Sequence, residues 1–182
     1  MNRCEWAEKN DLEREYHDKE WGIPLHNDQK LFEFLMLEGA QAGLSWSTIL
    51  AKREGYLKAF DNFDAKLIAQ YTQYDLDQLM ENPNIIRNRL KIKSAVTNAI
   101  AFLKVVEELG SFDTYIWNFV NGKPIINHWQ NMNQVPATTV VSETMSKDLK
   151  KRGFKFVGPT ICYAFMQATG MVNDHTVDCF RH

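Results

Sequence analysis

Apolar residues recur at helical spacing along almost the whole chain, and no two period-2 segments occur that could pair into a sheet. Stripes of that kind are buried helix against helix, so the expected fold is all-α. Behind Asp28, placed to cap a helix, Leu31, Phe34, Leu35 and Glu38 recur at steps of three and four. A carboxylate on or beside an apolar stripe is unusual, which marks Glu38. Gly39 and Gly43 break the run, and Ser45 starts a second helix through Trp46, Ile49 and Leu50 to Phe60. A turn is expected at residues 61–64 and short helices at 64–71 and 75–80, the second stopped by Asn82-Pro83-Asn84. A long helix should run from about Asn88 to Leu109, ended by Gly110, and another from Asp113 to Val120, ended by Asn121-Gly122. Residues 123–141 show neither period and are expected to be irregular. Ser142 is read as the cap of a helix to Arg152, closed by Gly153, and Pro159 as the start of a last helix that Gly170 ends. With no repeat or low-complexity linker, the 182 residues are expected to be a single unit, a helical core of about 28–170 with terminal segments 1–27 and 171–182.

Cys4 and His17 lie at one end of the chain, His175 and Cys179 at the other. Two thiols and two imidazoles can make a closed tetrahedral zinc site of the structural kind, which would fasten the termini together and leave no position for a reacting water. His175 and Cys179 are four residues apart, the spacing of one face of a helical turn. Cys4 and His17 are more loosely spaced, and the gap between the two halves far exceeds that of a zinc finger. Spacing alone therefore leaves open the alternative of two reduced thiols and two ordinary histidines. An odd number of cysteines, three, without a signal-like apolar segment argues against a disulfide framework and for a reducing, cytoplasmic setting. Cys162, inside an apolar run, reads as core filler.

A net charge of -2, from 21 basic and 23 acidic residues, excludes a chain that binds nucleic acid by bulk charge, so any such contact must be local. No stretch is apolar for long enough to span a membrane. Arg87, Arg89, Lys91 and Lys93 alternate through the turn before the long helix, and Lys147, Lys150, Lys151, Arg152 and Lys155 crowd the end of another. Either group can meet phosphates, and either can equally be a solvated face. Trp6, Tyr16, Trp21 and Trp46 stand in polar surroundings near the candidate metal ligands and Glu38. Flat side chains can hold a base that has left the duplex stack, and they can also be ordinary core.

Several long, ungapped blocks go further: Arg3-Cys4-x-Trp6, Tyr16-His17-Asp18-x-Glu20-Trp21-Gly22, the run from Leu37 to Trp46, the run from Lys150 to Gly158, and Asn173-Asp174-His175. On these the chain resembles the 3-methyladenine DNA glycosylase I family, a branch of the helix-hairpin-helix glycosylases, from Arg3 through Cys179. The resemblance implies one structural Zn2+ per chain on Cys4, His17, His175 and Cys179. It places Glu38, Tyr16, Trp46, Trp6 and Trp21 around the excised base, with Glu38 ionised and accepting from the exocyclic amine of adenine. Leu44, after Gly43, corresponds to the residue pushed into the gap left by the flipped nucleotide, and Arg87 to Lys93 fall in the hairpin that grips the DNA backbone. Lys151 and Lys155 join the expected DNA contacts. Asn84 stands where the family's hairpin has glycine, and Glu13 where an aromatic residue is expected. The implied function is monofunctional excision of 3-methyladenine from alkylated double-stranded DNA, leaving an abasic site, by a monomer with no membrane role. The alternatives are a catalytic zinc hydrolase, a zinc-stapled helical DNA-binding module without catalysis, and a glycosylase for another alkylated purine.

Overall fold

Asn27, not Asp28, caps α2 (Asp28–Gln41): its side-chain oxygen accepts from the Lys30 amide at 2.9 Å. In the computed structural model, which describes all 182 residues, Asp28 caps a distant helix instead, accepting from the amides of Phe112 and Asp113 at 2.9 and 2.8 Å. Two adjacent residues that both cap well cannot be told apart by local preference, and tertiary contact decides which helix each serves. Asp28 thus ties α2 to the helix beginning at Phe112.

α2 is buried on nearly every side, with Leu31, Phe32, Phe34, Leu35, Leu37, Glu33 and Glu38 all inside. A helix apolar around most of its girth belongs at the centre. Around it pack α3 (Trp46–Ala59), α6 (Arg89–Leu109), α7 (Phe112–Trp117) and α9 (Pro159–Ala168). α4 (Ala65–Ile68) and α5 (Gln73–Glu81) lie against α6, and α8 (Val140–Lys151) lies against α9. Phe32, Phe102 and Phe112 interlock at ring separations of 4.8 Å, which fixes where α2, α6 and α7 meet. Each buried ring of this size contributes about 1.5–3 kcal/mol through lost apolar exposure.

Several boundaries differ from the sequence reading. Residues 64–71 form only the single turn of α4, because Ala69 to Tyr71 leave the helix to reach the Thr72 capping box of α5. Thr139, three residues before Ser142, caps α8, and Ser142 completes a reciprocal capping box. The segment taken as irregular contains β1 (Ile125–Ile126), which pairs in parallel with β2 (Val172–Asn173). Strands of two residues are too short for a period-2 pattern to show. The N-terminal segment is also helical: a 3-10 turn at Glu5–Glu8 is followed by α1 (Asp11–Lys19), capped by Asn10. No helix is long and apolar enough to cross a membrane.

The connection from α5 to α6 is held by α3. Lys52 donates to the Pro83 carbonyl at 2.8 Å, the Ile86 amide donates to the Tyr56 hydroxyl at 3.2 Å, and Asn84 lies against Gly55. A Cβ at Gly55 would stand 2.3 Å from the Asn84 carbonyl oxygen, so the required glycine is in the neighbouring helix. Asn84 itself is outside the positive-φ region and needs no glycine.

Candidate active site and metal centre

α1 places Glu13, Tyr16 and His17 on one face at helical spacing, all buried. Glu13 and Tyr16 face a cleft of about 530 Å3 whose wall also includes Trp6, Trp21, Glu38 and Trp46. Glu38 and the four aromatic residues singled out around it by the sequence are therefore brought together. Trp46 enters as the first residue of α3, where the Ser45 hydroxyl accepts from the Thr48 amide at 3.2 Å. Tyr16 and Trp46 stand 5.4 Å apart at 49°, and Trp6 and Trp21 meet edge-on at 5.0 Å. A more enclosed apolar cavity beside Phe60 and Phe156 holds only about 20 Å3, room for a water and not for a ligand.

Glu38 is 4 % exposed, and burial alone pushes its carboxyl up to about 8. Burial with no cation nearby favours the neutral carboxyl, so the ionised Glu38 expected from the sequence needs the charge of a ligand beside it. A cationic ligand would supply the missing counter-charge and drive the proton off. Burial, then the Glu38 charge, likewise raises the Tyr16 phenol. Four buried side-chain polar atoms in the whole chain lack a hydrogen-bond partner, and three of them, Glu13 Oε2, Tyr16 OH and Trp46 Nε1, belong to the wall of this cleft. Each such atom costs about 1–3 kcal/mol. Their concentration in one place is the signature of a site completed by a ligand.

Behind Tyr16 the wall is braced by charge. Arg53 donates to Glu20 at 2.7 Å and to buried Glu33 at 2.8 Å while its guanidinium covers the Phe34 ring at 5.1 Å. Phe34 in turn backs Tyr16 at 6.4 Å. Gln41, Met132 and Gln167 also line the cleft, and the sequence reading did not find them. Gln167 is tied at 2.9 Å to Asp174, a buried carboxylate that also receives Asn127, Trp129 and Tyr163. The only signal for that cluster was that Asp174 lies inside a quoted block.

At the lip of the cleft α2 ends at Gln41, and the chain turns through Gly43 at φ +80° to present Leu44, 39 % exposed. Lys91 reaches back to this turn, its ammonium 2.8 Å from the Ala40 carbonyl and 2.6 Å from that of Ala42. It is committed to the negative end of α2 rather than free in solution. Arg87, Lys93, Lys151 and Lys155 are exposed, whereas Arg152 is neutralised by Glu108 and Asp148.

Cys4, His17, His175 and Cys179 converge, all buried, with every ligand atom within 4.8 Å of the others. His175 and Cys179 do not lie on a helix as spacing suggested. They sit in the turns after β2, where the Cys179 amide donates to the Thr176 carbonyl. Three sulfur–nitrogen separations are 3.4, 3.5 and 3.5 Å. Tetrahedral zinc with bonds of about 2.3 Å to sulfur and 2.0 Å to nitrogen would give about 3.5 Å. His17 donates from Nδ1 to Asp18 at 2.8 Å, and His175 from Nε2 to the Trp21 carbonyl at 3.2 Å, so one lone pair of each ring is left toward the cluster. Gly22, at φ +77°, allows that approach, since a Cβ there would stand 2.8 Å from His175 Nε2. Burial holds His175 neutral, with its pKa lowered to about 4, and pushes the Cys4 thiol up to about 12. Neutral imidazoles beside buried thiols are a donor set that a metal cation fits.

Residues 6–182 match the family model described as methyladenine glycosylase. The chain is 51% identical over 177 residues to a protein of Haemophilus influenzae named DNA-3-methyladenine glycosylase, covering 97% of this chain and 96% of that one. A crystal structure of 3-methyladenine DNA glycosylase I superposes with a TM-score of 0.97 at 48% identity over the whole of both chains. A variant of such an enzyme in complex with 3-methyladenine superposes with a TM-score of 0.96 at 39% identity, covering 100% of this chain and 97% of that one. The chain belongs to the methyladenine glycosylase family.

Proposed function

We propose that the chain is a monofunctional DNA glycosylase that hydrolyses the N-glycosidic bond of 3-methyladenine in alkylated double-stranded DNA and leaves an abasic site. The observation that carries this reading is a buried carboxyl without a counter-ion in a cleft walled by aromatic rings. A neutral adenine gives Glu38 no reason to ionise. N3-methylated adenine is a cation, and its charge favours the carboxylate, which then accepts from the exocyclic amine. The rings of Tyr16 and Trp46 add a cation-π attraction of about 1–2 kcal/mol in a dry site, with Trp6 and Trp21 completing the wall.

The cation is also the reason little acid catalysis is needed. When the bond between C1′ and the base breaks, its electron pair passes to the base and cancels the positive charge. Water adds hydroxide to C1′ and releases its proton to solvent, so the products are neutral 3-methyladenine and an abasic sugar. The protein's part is to select the base, hold it out of the stack, and keep the cleft around it.

Leu44 is assigned the wedge that fills the vacated place in the duplex, on the turn through Gly43. Arg87, Lys151 and Lys155 are assigned phosphate contacts, and Lys91 acts through the same face by bracing that turn. The α5–α6 connection is the hairpin of a helix-hairpin-helix unit. Cys4, His17, His175 and Cys179 would hold one Zn2+, which when bound fastens the two ends of the chain and supplies no chemistry to the reaction. The whole of 1–182 acts as a single catalytic unit and as a monomer, in a reducing cytoplasmic setting that suits its three free thiols. A DNA-binding module without catalysis gives no role to a partnerless carboxyl among aromatic rings.

The test is a duplex carrying a single 3-methyladenine. The expected products are the free base and a strand that stays intact until alkali cleaves it. A strand cut without alkali would replace the hydrolytic reading with a lyase.

A further inference from the structure

Glu13 is the second buried carboxyl of the cleft, and it is held in a different way from Glu38. Asn10 caps α1 by accepting from the Glu13 amide at 2.9 Å, and its side-chain nitrogen donates to the Ser47 hydroxyl at 3.1 Å. Ser47 then donates to Glu13 Oε1, which closes a loop of three side chains between α1 and α3. The loop fixes the carboxyl's orientation and leaves Oε2 buried with no partner, in a residue only 4 % exposed.

A purely structural carboxyl would be satisfied at both oxygens, as Glu33 is, with Arg53 on one and Lys30 on the other. Glu13 instead leaves an acceptor unused in the wall that Tyr16, Glu38 and Trp46 share. An oriented acceptor left empty in a binding wall costs stability in the free protein and is repaired when a ligand supplies an N–H.

We infer that Glu13 is a specificity-determining residue of this cleft, a second carboxylate acceptor that takes a ring or amino N–H of the everted base and widens the accepted bases toward guanine-type methylpurines. This rests on the glycosylase reading above. The chemistry selects the class: an adenine-type base offers only its exocyclic amine, which Glu38 takes. 3-Methylguanine carries N1–H and an N2 amine as further donors, together with O6 as an acceptor. An acceptor held in place beside Glu38 therefore gains a partner only from a base with donors beyond one exocyclic amine.

The experiment is Glu13→Gln, which keeps the volume and can keep the Ser47 hydrogen bond while turning the free acceptor into a donor. Wild type and variant are incubated with the same N-methyl-N-nitrosourea-treated duplex DNA, and the bases released are separated by chromatography. The ratio of 3-methylguanine to 3-methyladenine should fall at least about tenfold in the variant, the low end of the effect of losing one hydrogen bond to a charged group. The melting temperature should change little, since one unpartnered buried polar atom takes the place of another. An unchanged ratio overturns the inference. So does a lowered melting temperature with both bases reduced in step, which is what a merely structural Glu13 would give. Failure of the wild type to release either base refutes the glycosylase reading instead, so the two failures are distinguishable.

Discussion

The ammonium of Lys91, on α6, lies 2.6 Å from the carbonyl oxygen of Ala42, two residues before Leu44. A basic residue read as a phosphate contact is thereby a brace for the turn that presents Leu44, the proposed wedge. Lys91→Met keeps the aliphatic stem and loses both carbonyl contacts. Excision from duplex should fall at least about tenfold, the low end of the effect of one hydrogen bond to a charged group, while excision from single strands changes little. Equal losses on both substrates, or a loss recovered by lowering the salt, would show a plain phosphate contact.

Leu44→Ala tests the wedge itself. Leu44 is exposed at the tip of a turn, so truncation should leave the melting temperature within about 1–2 °C of wild type. Excision from duplex should drop more than excision from single strands, because only a duplex has a stack to keep open. Parallel losses would remove the role.

The buried carboxyl of Glu38 makes stability depend on pH in a definite sense. Below its ordinary value of 4.5 the group is neutral both folded and unfolded. Between 4.5 and about 8 the unfolded chain gives up the proton while the folded one retains it, so stability falls as pH rises, and the loss levels off above about 8. The full loss is on the order of a few kcal/mol. Glu38→Gln does not titrate there, so its melting temperature should gain on wild type from pH 5 to about pH 8 and hold that lead above it. Parallel curves would mean that Glu38 is not desolvated.

How much of this was legible in the sequence depended on the length of the pattern that carried it. The long periodic run of α6 and its Asn88 cap were read closely, whereas Asp28 and Ser142 were each taken for a cap that a residue one or three positions earlier supplies. The aromatic and carboxylate residues of the cleft were visible as oddities of composition. Gln167 and Met132 were not, because nothing in their local sequence departs from ordinary helix or loop, and Gln41, though inside the Leu37–Trp46 run, was not distinguished from its neighbours until packing brought it to the wall. Lys91 looked like its neighbours Arg87 and Lys93 until α2 was seen to end against it. Glu13 could be flagged as a departure from an expected aromatic, but its orphaned oxygen exists only once α1 and α3 are docked.

Purified protein should contain about one equivalent of zinc. Cys179→Ser should lose it and melt lower by on the order of 10 °C, since the four ligands join segments separated by nearly the whole chain. Chelation should lower stability and activity together. Full stability without metal would show the cluster to be four ordinary side chains.

The central claim is that a buried, partnerless carboxyl selects a base through that base's own positive charge. The most direct measurement is single-turnover release of 3-methyladenine from a defined duplex by wild type and by Glu38→Gln. The account expects rapid release by the wild type and a loss of roughly 10- to 100-fold in the variant, the effect of a hydrogen bond to a charged group. Equal rates for the two proteins would contradict it.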